Sequence, residues 1–292
     1  MRAKQIFSAE KPVAVVYRSN TANGYQFVRS LGEAGVPVLA LNDGSALGRL
    51  GSRYAHSMSC PDALKESEAF VQFLVQVGKR LAQKATLYLM NDPHLIVAAR
   101  NRCVLDEYYS IPLPEWEGLE KCMNKAIMHR VALSANIPTP VTFAPANDDE
   151  LAGIAREVPY PCILKPISRF EYRDGALRQR SFQQVYGTKA LRAHNENELY
   201  RFWQQTQTDD FQVIVQEEIQ GSEDHLYSVG LYADRESQVK AVFTGRKLHQ
   251  LPPDFGMGVY CESVTEPTIV ALAEAFVAQL GFHGIAHIEF KL

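Results

Sequence analysis

Apolar positions along the first third of the chain alternate between short continuous runs and helically spaced stretches. VAVVY (Val13–Tyr17) is an unbroken apolar, β-branched run, the pattern of a strand buried on both faces. The polar loop RSNTANG follows, and then YQFVRSLGEAG, whose spacing predicts a helix closed by Gly35 as its C-cap. VPVLALN (Val36–Asn42) predicts a second buried strand, Glu66 to Gln83 a further helix, and TLYLMND (Thr86–Asp92) another strand. Repetition of strand, helix and strand implies a parallel sheet covered by helices, an α/β domain.

Proline-rich IPLPEWEG (Ile111–Gly118) interrupts this rhythm and marks a domain boundary, giving a first domain over 1–115 and a second over 116–292. KCMNKAIMHRVALSANIP predicts one amphipathic helix closed by Asn136 and Pro138. From Val141 onward the segments shorten. CILKP, QVIVQEEI, LYSVGLYA, VKAVFTG and GIAHIEFKL predict strands, and Asp148–Glu157, Glu196–Gln205 and Pro267–Leu280 predict helices. This half has the order of an α+β domain.

Composition narrows the field without choosing within it. The 292 residues are 46% hydrophobic and 22% charged, ordinary for a globular protein. A net charge of −3 gives no footprint for nucleic acid or an anionic membrane. No apolar run approaches the roughly 18–20 residues that span a bilayer, and the basic start MRAKQIFSAEKP lacks an apolar segment behind it, so a cytoplasmic location is expected. The five cysteines (Cys60, Cys103, Cys122, Cys162, Cys261) are scattered with no CxxC pair, the pattern of neither a disulfide framework nor a zinc site. Apolar helix faces in the first domain suggest a homodimer.

The first loop holds one glycine and no GxGxxG, and GxxxxGK[ST] is absent, which removes the basis for a nicotinamide or flavin cofactor. A small ligand at the carboxyl ends of the first domain's strands remains open, with Ser19, Asn20, Asn23 and Asn91 there; ordinary turn-forming roles explain each equally well.

The second half carries more chemistry. Lys165 ends the apolar strand CILKP, a suitable point charge for a phosphate. Around it lie Arg169, Arg173, Arg178, Arg180, Lys189 and Arg192 against Glu171 and Asp174, a positive excess suited either to a polyanion or to a solvated loop. VIVQEEIQGSED is a strand breaking into acidic and amide groups, where backbone can read an adenine edge and a carboxylate can accept from ribose hydroxyls. FTGRKLHQ places Arg246 and Lys247 at another strand's end, before a loop with Gly256 and Gly258. Glu289 stands in the otherwise apolar GIAHIEFKL, and its burial would require a partner such as magnesium.

The order of these pieces resembles the ATP-grasp superfamily, most closely its carbamoyl-phosphate-synthetase-like and D-aspartate-ligase-like members. FVRSLGEAGVPVLALN followed by SRYAHSMSCP is similar to the Rossmann-like pre-ATP-grasp domain. NKAIMHRVALSANIPTP, CILKP, VQEEIQG, GRKLHQ and IEFK follow in the family's order. The resemblance implies a small lobe over about 141–215 and a C-terminal lobe over 216–292, with ATP and magnesium as cofactors. By position, Lys125 and Lys165 would contact ATP phosphates, Gln216, Glu217 and Ile219 would form the adenine hinge, and Glu223 would bind the ribose. Lys247 would reach the terminal phosphates, Arg246 would hold phosphate or the substrate carboxylate, and Glu289 would be a magnesium ligand.

The implied reaction joins a small-molecule carboxylate to an amine through an acyl phosphate, with an amino acid or peptide as substrate. Carboxyphosphate or carbamoyl-phosphate chemistry is the alternative within the family. Asn124 stands where the family often has aspartate, and the loop after Lys165 is arginine-rich with only Gly175 and Gly187. Family members continue after IEFK to a strand with a second glutamate and an asparagine, whereas this chain ends at Leu292. The expectation is therefore an ATP-grasp domain truncated at its C-terminus, with ATP affinity partly kept and catalysis weak or lost.

Overall fold

A computed structural model describes residues 6–44, 51–168, 172–173, 176–177 and 181–292; for 172–173 and 176–177 only the backbone is described. The chain divides into two compact units, Met1–Leu119 and Glu120–Leu292.

The first unit is built on a five-stranded parallel sheet in the order β3-β2-β1-β4-β5. Its strands are β1 (Ala14–Tyr17), β2 (Val38–Asn42), β3 (Ala55–Ser59), β4 (Ala85–Leu89) and β5 (Tyr109–Ser110). All residues of β1 and β2 are buried, as their unbroken apolar runs require of strands covered on both faces. Helices α1 (Ala22–Glu33), α2 (Ser67–Arg80), α3 (Asp92–Arg100) and α4 (Arg102–Leu105) supply the crossovers and the connection to β5. Helix α1 ends in a Schellman turn: Val36 N–H donates to the Leu31 carbonyl and Gly35 N–H to that of Gly32. Gly35 takes φ +72°, which only glycine adopts without strain.

The structure corrects the single helix expected over Lys121–Pro138. Two helices lie there, α5 (Trp116–Met123) and α6 (Lys125–Ser134). Asn124 leaves helical geometry (φ −96°, ψ 108°), and its side chain accepts from the N–H groups of Ala126 and Ile127. An amide at that position caps the second helix and so divides the amphipathic run.

The second unit holds two antiparallel four-stranded sheets. The first, ordered β10-β7-β11-β6, is formed by β6 (Thr142–Phe143), β7 (Cys162–Pro166), β10 (Leu191–Ala193) and β11 (Val213–Glu217). Short strands β8 (Tyr172–Arg173) and β9 (Ala176–Leu177) pair with each other. Helices α7 (Asp148–Glu157) and α9 (Glu196–Thr208) cover this sheet, and the short α8 (Phe182–Tyr186) adds Phe182 to the same core. Asn147 and Asn195 cap α7 and α9, and Glu150 and Glu198 accept in return from the backbone N–H just before each cap. The second sheet, ordered β14-β13-β12-β15, comprises β12 (Leu226–Ala233), β13 (Val239–Leu251), β14 (Met257–Ser263) and β15 (Gly284–Lys291). One face packs Val229, Leu231 and Ala233, with Ile288 and Phe290, against Ile269, Ala273 and Val277 of α10 (Pro267–Leu280).

Two further expectations change here. Arg246 and Lys247 lie within the thirteen-residue strand β13, not at a strand's end, and Gly258 belongs to edge strand β14 instead of a loop. Strand β15 is half-exposed: Ala286, Ile288 and Phe290 face the core, while Ile285, His287 and Glu289 alternate to the open face.

Candidate nucleotide site

Lys165 is positioned by β7, where it pairs in register with Ile214 of β11. Its Nζ donates to Gln216 Oε1 at 2.7 Å, and Gln216 Nε2 donates to Thr142 Oγ1, also at 2.7 Å. Both amide ends of Gln216 are thus fixed, and with them the direction of the ammonium. Burial pushes the Lys165 ammonium down to about 8, and the Glu289 carboxylate opposes that shift. The ammonium is therefore held partly desolvated, with the Glu289 carboxylate supplying part of the compensation for its charge.

Glu289 and Lys247 supply the second part of this cluster. Ser228 of β12 pairs with Glu289 on one side and Gly245 of β13 on the other. Lys247, two residues on from Gly245, therefore shares the open face, and its Nζ lies 2.5 Å from Glu289 Oε1. The Glu289 side chain is 52% exposed, so the expected buried carboxylate is instead a surface one, partnered by Lys247. Alternation sends the neighbouring Arg246 to the opposite face. There it donates to Glu262 at 2.6 and 2.9 Å, across the β13–β14 pair. The structure thus brings Lys165, Lys247 and Glu289 into one electrostatic neighbourhood and directs Arg246 away from it.

Lys125 opens α6. Its backbone N–H donates to the Ile167 carbonyl at 2.9 Å and its Nζ approaches the same oxygen at 3.5 Å, which ties the helix start to the segment just after Lys165. The stretch expected to form a hinge is held from several directions. Glu217 N–H donates to the Val141 carbonyl, and Glu217 Oε2 accepts from Val141 N–H at 3.1 Å. The Ile219 carbonyl accepts from Lys291 Nζ at 2.7 Å. Glu223 Oε2 accepts from Gln250 N–H at 3.1 Å, with His249 Nδ1 3.8 Å away.

Two contributors, Thr142 and Lys291, carried no signal in the sequence, and a third, Arg192, plays a different part from the one expected. Arg192 makes a bidentate pair with Glu218 (2.6 Å each), also reaches Asp254 at 3.3 Å, and lies over the Phe255 ring. Arg192 was counted within a positive cluster, but its charge is committed inside the fold beside Glu217. The side chains of Arg169, Glu171, Arg173, Asp174, Arg178 and Arg180 lie outside the described residues. No residue type or spacing announced the Arg192–Glu218 pair, because twenty-six residues separate its members.

In the first unit, Ser19 is fully buried and its hydroxyl donates to Asn42 Oδ1 at 3.0 Å. Asn20 N–H reaches the same oxygen at 3.1 Å. Asn23 is exposed on α1, and Asn91 precedes α3 without a side-chain capping bond.

Among the described residues no group of three or more His, Cys, Asp or Glu side chains forms a metal cluster. Among the described residues the donor set near Lys165 offers one carboxylate, Glu289. That suits magnesium shared with nucleotide phosphates, since this ion keeps several waters and takes one or two carboxylates. It does not suit a standing metal site. No helix among the described residues is long and apolar enough to cross a membrane.

No protein-family profile matches the chain. It is 22% identical to a D-aspartate ligase of Enterococcus faecium (strain Aus0004) over 231 residues, 76% of this chain and 54% of that protein. Among solved structures it is similar to an L-amino acid ligase from Bacillus licheniformis, with a TM-score of 0.65 at 17% identity, covering 97% of this chain and 64% of that one. The biotin carboxylase domain of Hydrogenobacter thermophilus 2-oxoglutarate carboxylase, solved with MgADP, ADP and bicarbonate, matches with a TM-score of 0.64 at 15% identity, covering 96% and 60%. The architecture is the ATP-grasp fold. In sequence the chain is similar to that D-aspartate ligase, and it spans about half that protein's length.

Proposed function

We propose that this chain binds ATP with magnesium in its second unit and serves ATP-dependent joining of a carboxylate to an amine, with an amino acid or peptide among the substrates. The observation that carries the reading is the convergence of Lys165, aimed by Gln216, with Lys247 and Glu289 on the open face of the second sheet. The amino-acid substrate class is supported by the similarity to a D-aspartate ligase and an L-amino acid ligase.

In this reading Lys165 and Lys125 hold phosphate oxygens, Gln216, Glu217 and Ile219 border the base, and Glu223 accepts from the ribose. Lys247 exchanges Glu289 for the terminal phosphates, which leaves Glu289 to hold magnesium. Lys165, Lys125, Lys247 and Glu289 would hold Mg·ATP, which would supply a phosphoryl group to a substrate carboxylate oxygen with ADP as the leaving group. An amine then attacks the acyl carbon, phosphate departs, and the amine gives up a proton. Two ammonium groups beside the transferring phosphoryl oxygens stabilise charge that the reaction concentrates there. Arg246, engaged by Glu262 on the opposite face, is assigned no part in the transfer.

The test is ADP release with magnesium, measured against a panel of amino acids and dipeptides and separately against bicarbonate with ammonia. Release stimulated by one member of the amino-acid panel supports ligation. Stimulation by bicarbonate alone moves the assignment to carboxyphosphate chemistry. ATP binding without release by any acceptor leaves this chain a nucleotide-binding module.

A further inference from the structure

The carboxyl edge of the first unit's sheet gathers polar groups that the fold does not satisfy. In the order β3-β2-β1-β4-β5 the chain passes from β1 to β2 on one side, and β4 lies on the other. The loops after β1 and β4 therefore diverge, and such a switch point is where open parallel sheets take ligands. Asn42, at the end of β2, is 1% exposed. Its Oδ1 receives Ser19 and Asn20, while its buried Nδ2 has no partner among the described residues. Arg18 follows β1 with φ +59° and gives Nη1 to Asp43 at 2.7 Å; its buried Nε has no partner. His94, in the first turn of α3, is 3% exposed and stands edge-on to the Tyr17 ring, and its Nδ1 is likewise unpartnered.

Each unsatisfied buried group costs about 1–3 kcal/mol, so three around one strand edge point to a ligand. The local charges select its kind. The Asp43 carboxylate is fully buried and answers Arg18, and it also accepts from Tyr17 Oη at 2.8 Å. Asp62 adds further negative potential at both His94 and Cys60. Burial and the Arg18 charge push the His94 imidazole down to about 4, so it is neutral at neutral pH. A dianion such as phosphate would meet Asp43 and Asp62, and a simple cation would leave the Arg18 and Asn42 donors unanswered. A zwitterion offers an acceptor end to these donors and adds no net charge.

We propose that this edge binds a free α-amino acid, whose carboxylate accepts from Arg18 Nε and Asn42 Nδ2 and whose ammonium lies beside the His94 imidazole. The binding stands on the first unit alone; its role as a substrate site rests on the ligation reading.

The experiment follows the Arg18 Nε–H resonance of the full ¹⁵N-labelled chain, assigned with Arg18→Lys. Glycine, L-alanine, L-aspartate and D-aspartate are titrated in turn, with acetate, methylammonium and phosphate as controls at constant ionic strength. A saturable shift is expected with at least one amino acid, with acetate weaker by about tenfold or more and methylammonium inert. Asn42→Asp keeps the acceptor for Ser19 and Asn20 but removes the donor, and is expected to abolish the shift. No saturable shift with any of the four up to roughly 50 mM, or acetate binding as tightly as the best of them, overturns the proposal. Mg·ATP binding is measured on the same samples. Loss of the amino-acid response alone sinks this site, and loss of the ATP response alone sinks the nucleotide reading.

Discussion

Lys165→Met removes the ammonium and keeps most of the buried stem, so it isolates the charge. The wild-type ammonium titrates near 8, lowered from an ordinary lysine value of 10.5 by burial. If nucleotide phosphates require the charged form, affinity is fully present below that value and declines as pH rises through it. At about one unit above, roughly a tenth of the chains remain charged, so affinity falls about tenfold, or about 1.4 kcal/mol. Stability moves the other way. The unfolded chain holds this proton up to the ordinary value while the folded chain releases it near 8, so stability rises with pH across that window, by at most about 3 kcal/mol. Titration calorimetry with a non-hydrolysable ATP analogue and magnesium, from about pH 7.5 to 9.5, measures the first effect. Lys165→Met is expected to bind weakly with a flat profile, and Lys165→Arg to bind with a flat profile. A flat wild-type profile, or the same slope surviving in Lys165→Met, would refute the reasoning.

Other perturbations test the supports of the fold. A Cβ on Gly24 would lie 2.3 Å from the Arg18 carbonyl oxygen, so Gly24→Ala is expected to destabilise by about 1–3 kcal/mol in urea unfolding, despite alanine's better helix propensity. Asn124→Ala loses the cap of α6 and about 1 kcal/mol, whereas Asn124→Asp keeps it, which unfolding midpoints will separate. Arg192→Gln leaves Glu218, 16% exposed, without its bidentate partner. It is expected to cost roughly 1.5–3 kcal/mol less solvent screening, and to weaken nucleotide affinity measured by calorimetry. Magnesium titrated alone is expected to give no binding heat, because among the described residues Glu289 is the one carboxylate of the Lys165–Lys247 cluster.

Legibility in the sequence followed the range of the interaction. Local signals sufficed for β1, β2, α7 and α10, where continuous apolar runs, Asn caps and a proline near the helix start act within a few residues. They failed at Asn124, because a capping amide inside an amphipathic run reads equally as a helical surface residue. Strand β14 was missed because its residues are exposed throughout and show no buried face. At the site, Lys165 and Gln216 were visible as strand residues, but the Thr142 link between them depends on β6 pairing with β11 across more than seventy residues. The opposite directions of Arg246 and Lys247 follow from strand alternation, and became readable only once both lay within β13. Arg18, Asn42 and His94 likewise meet through the parallel sheet and leave no local pattern.

The central claim is nucleotide binding by the second unit. Calorimetry of ATP into the full chain at about pH 7.5, with and without magnesium, tests it most directly. The account predicts saturable, near-stoichiometric binding that tightens with magnesium and is weakened about tenfold or more in Lys165→Met. Absence of binding to the folded wild-type chain under both conditions, or undiminished binding by a folded Lys165→Met variant, would contradict it.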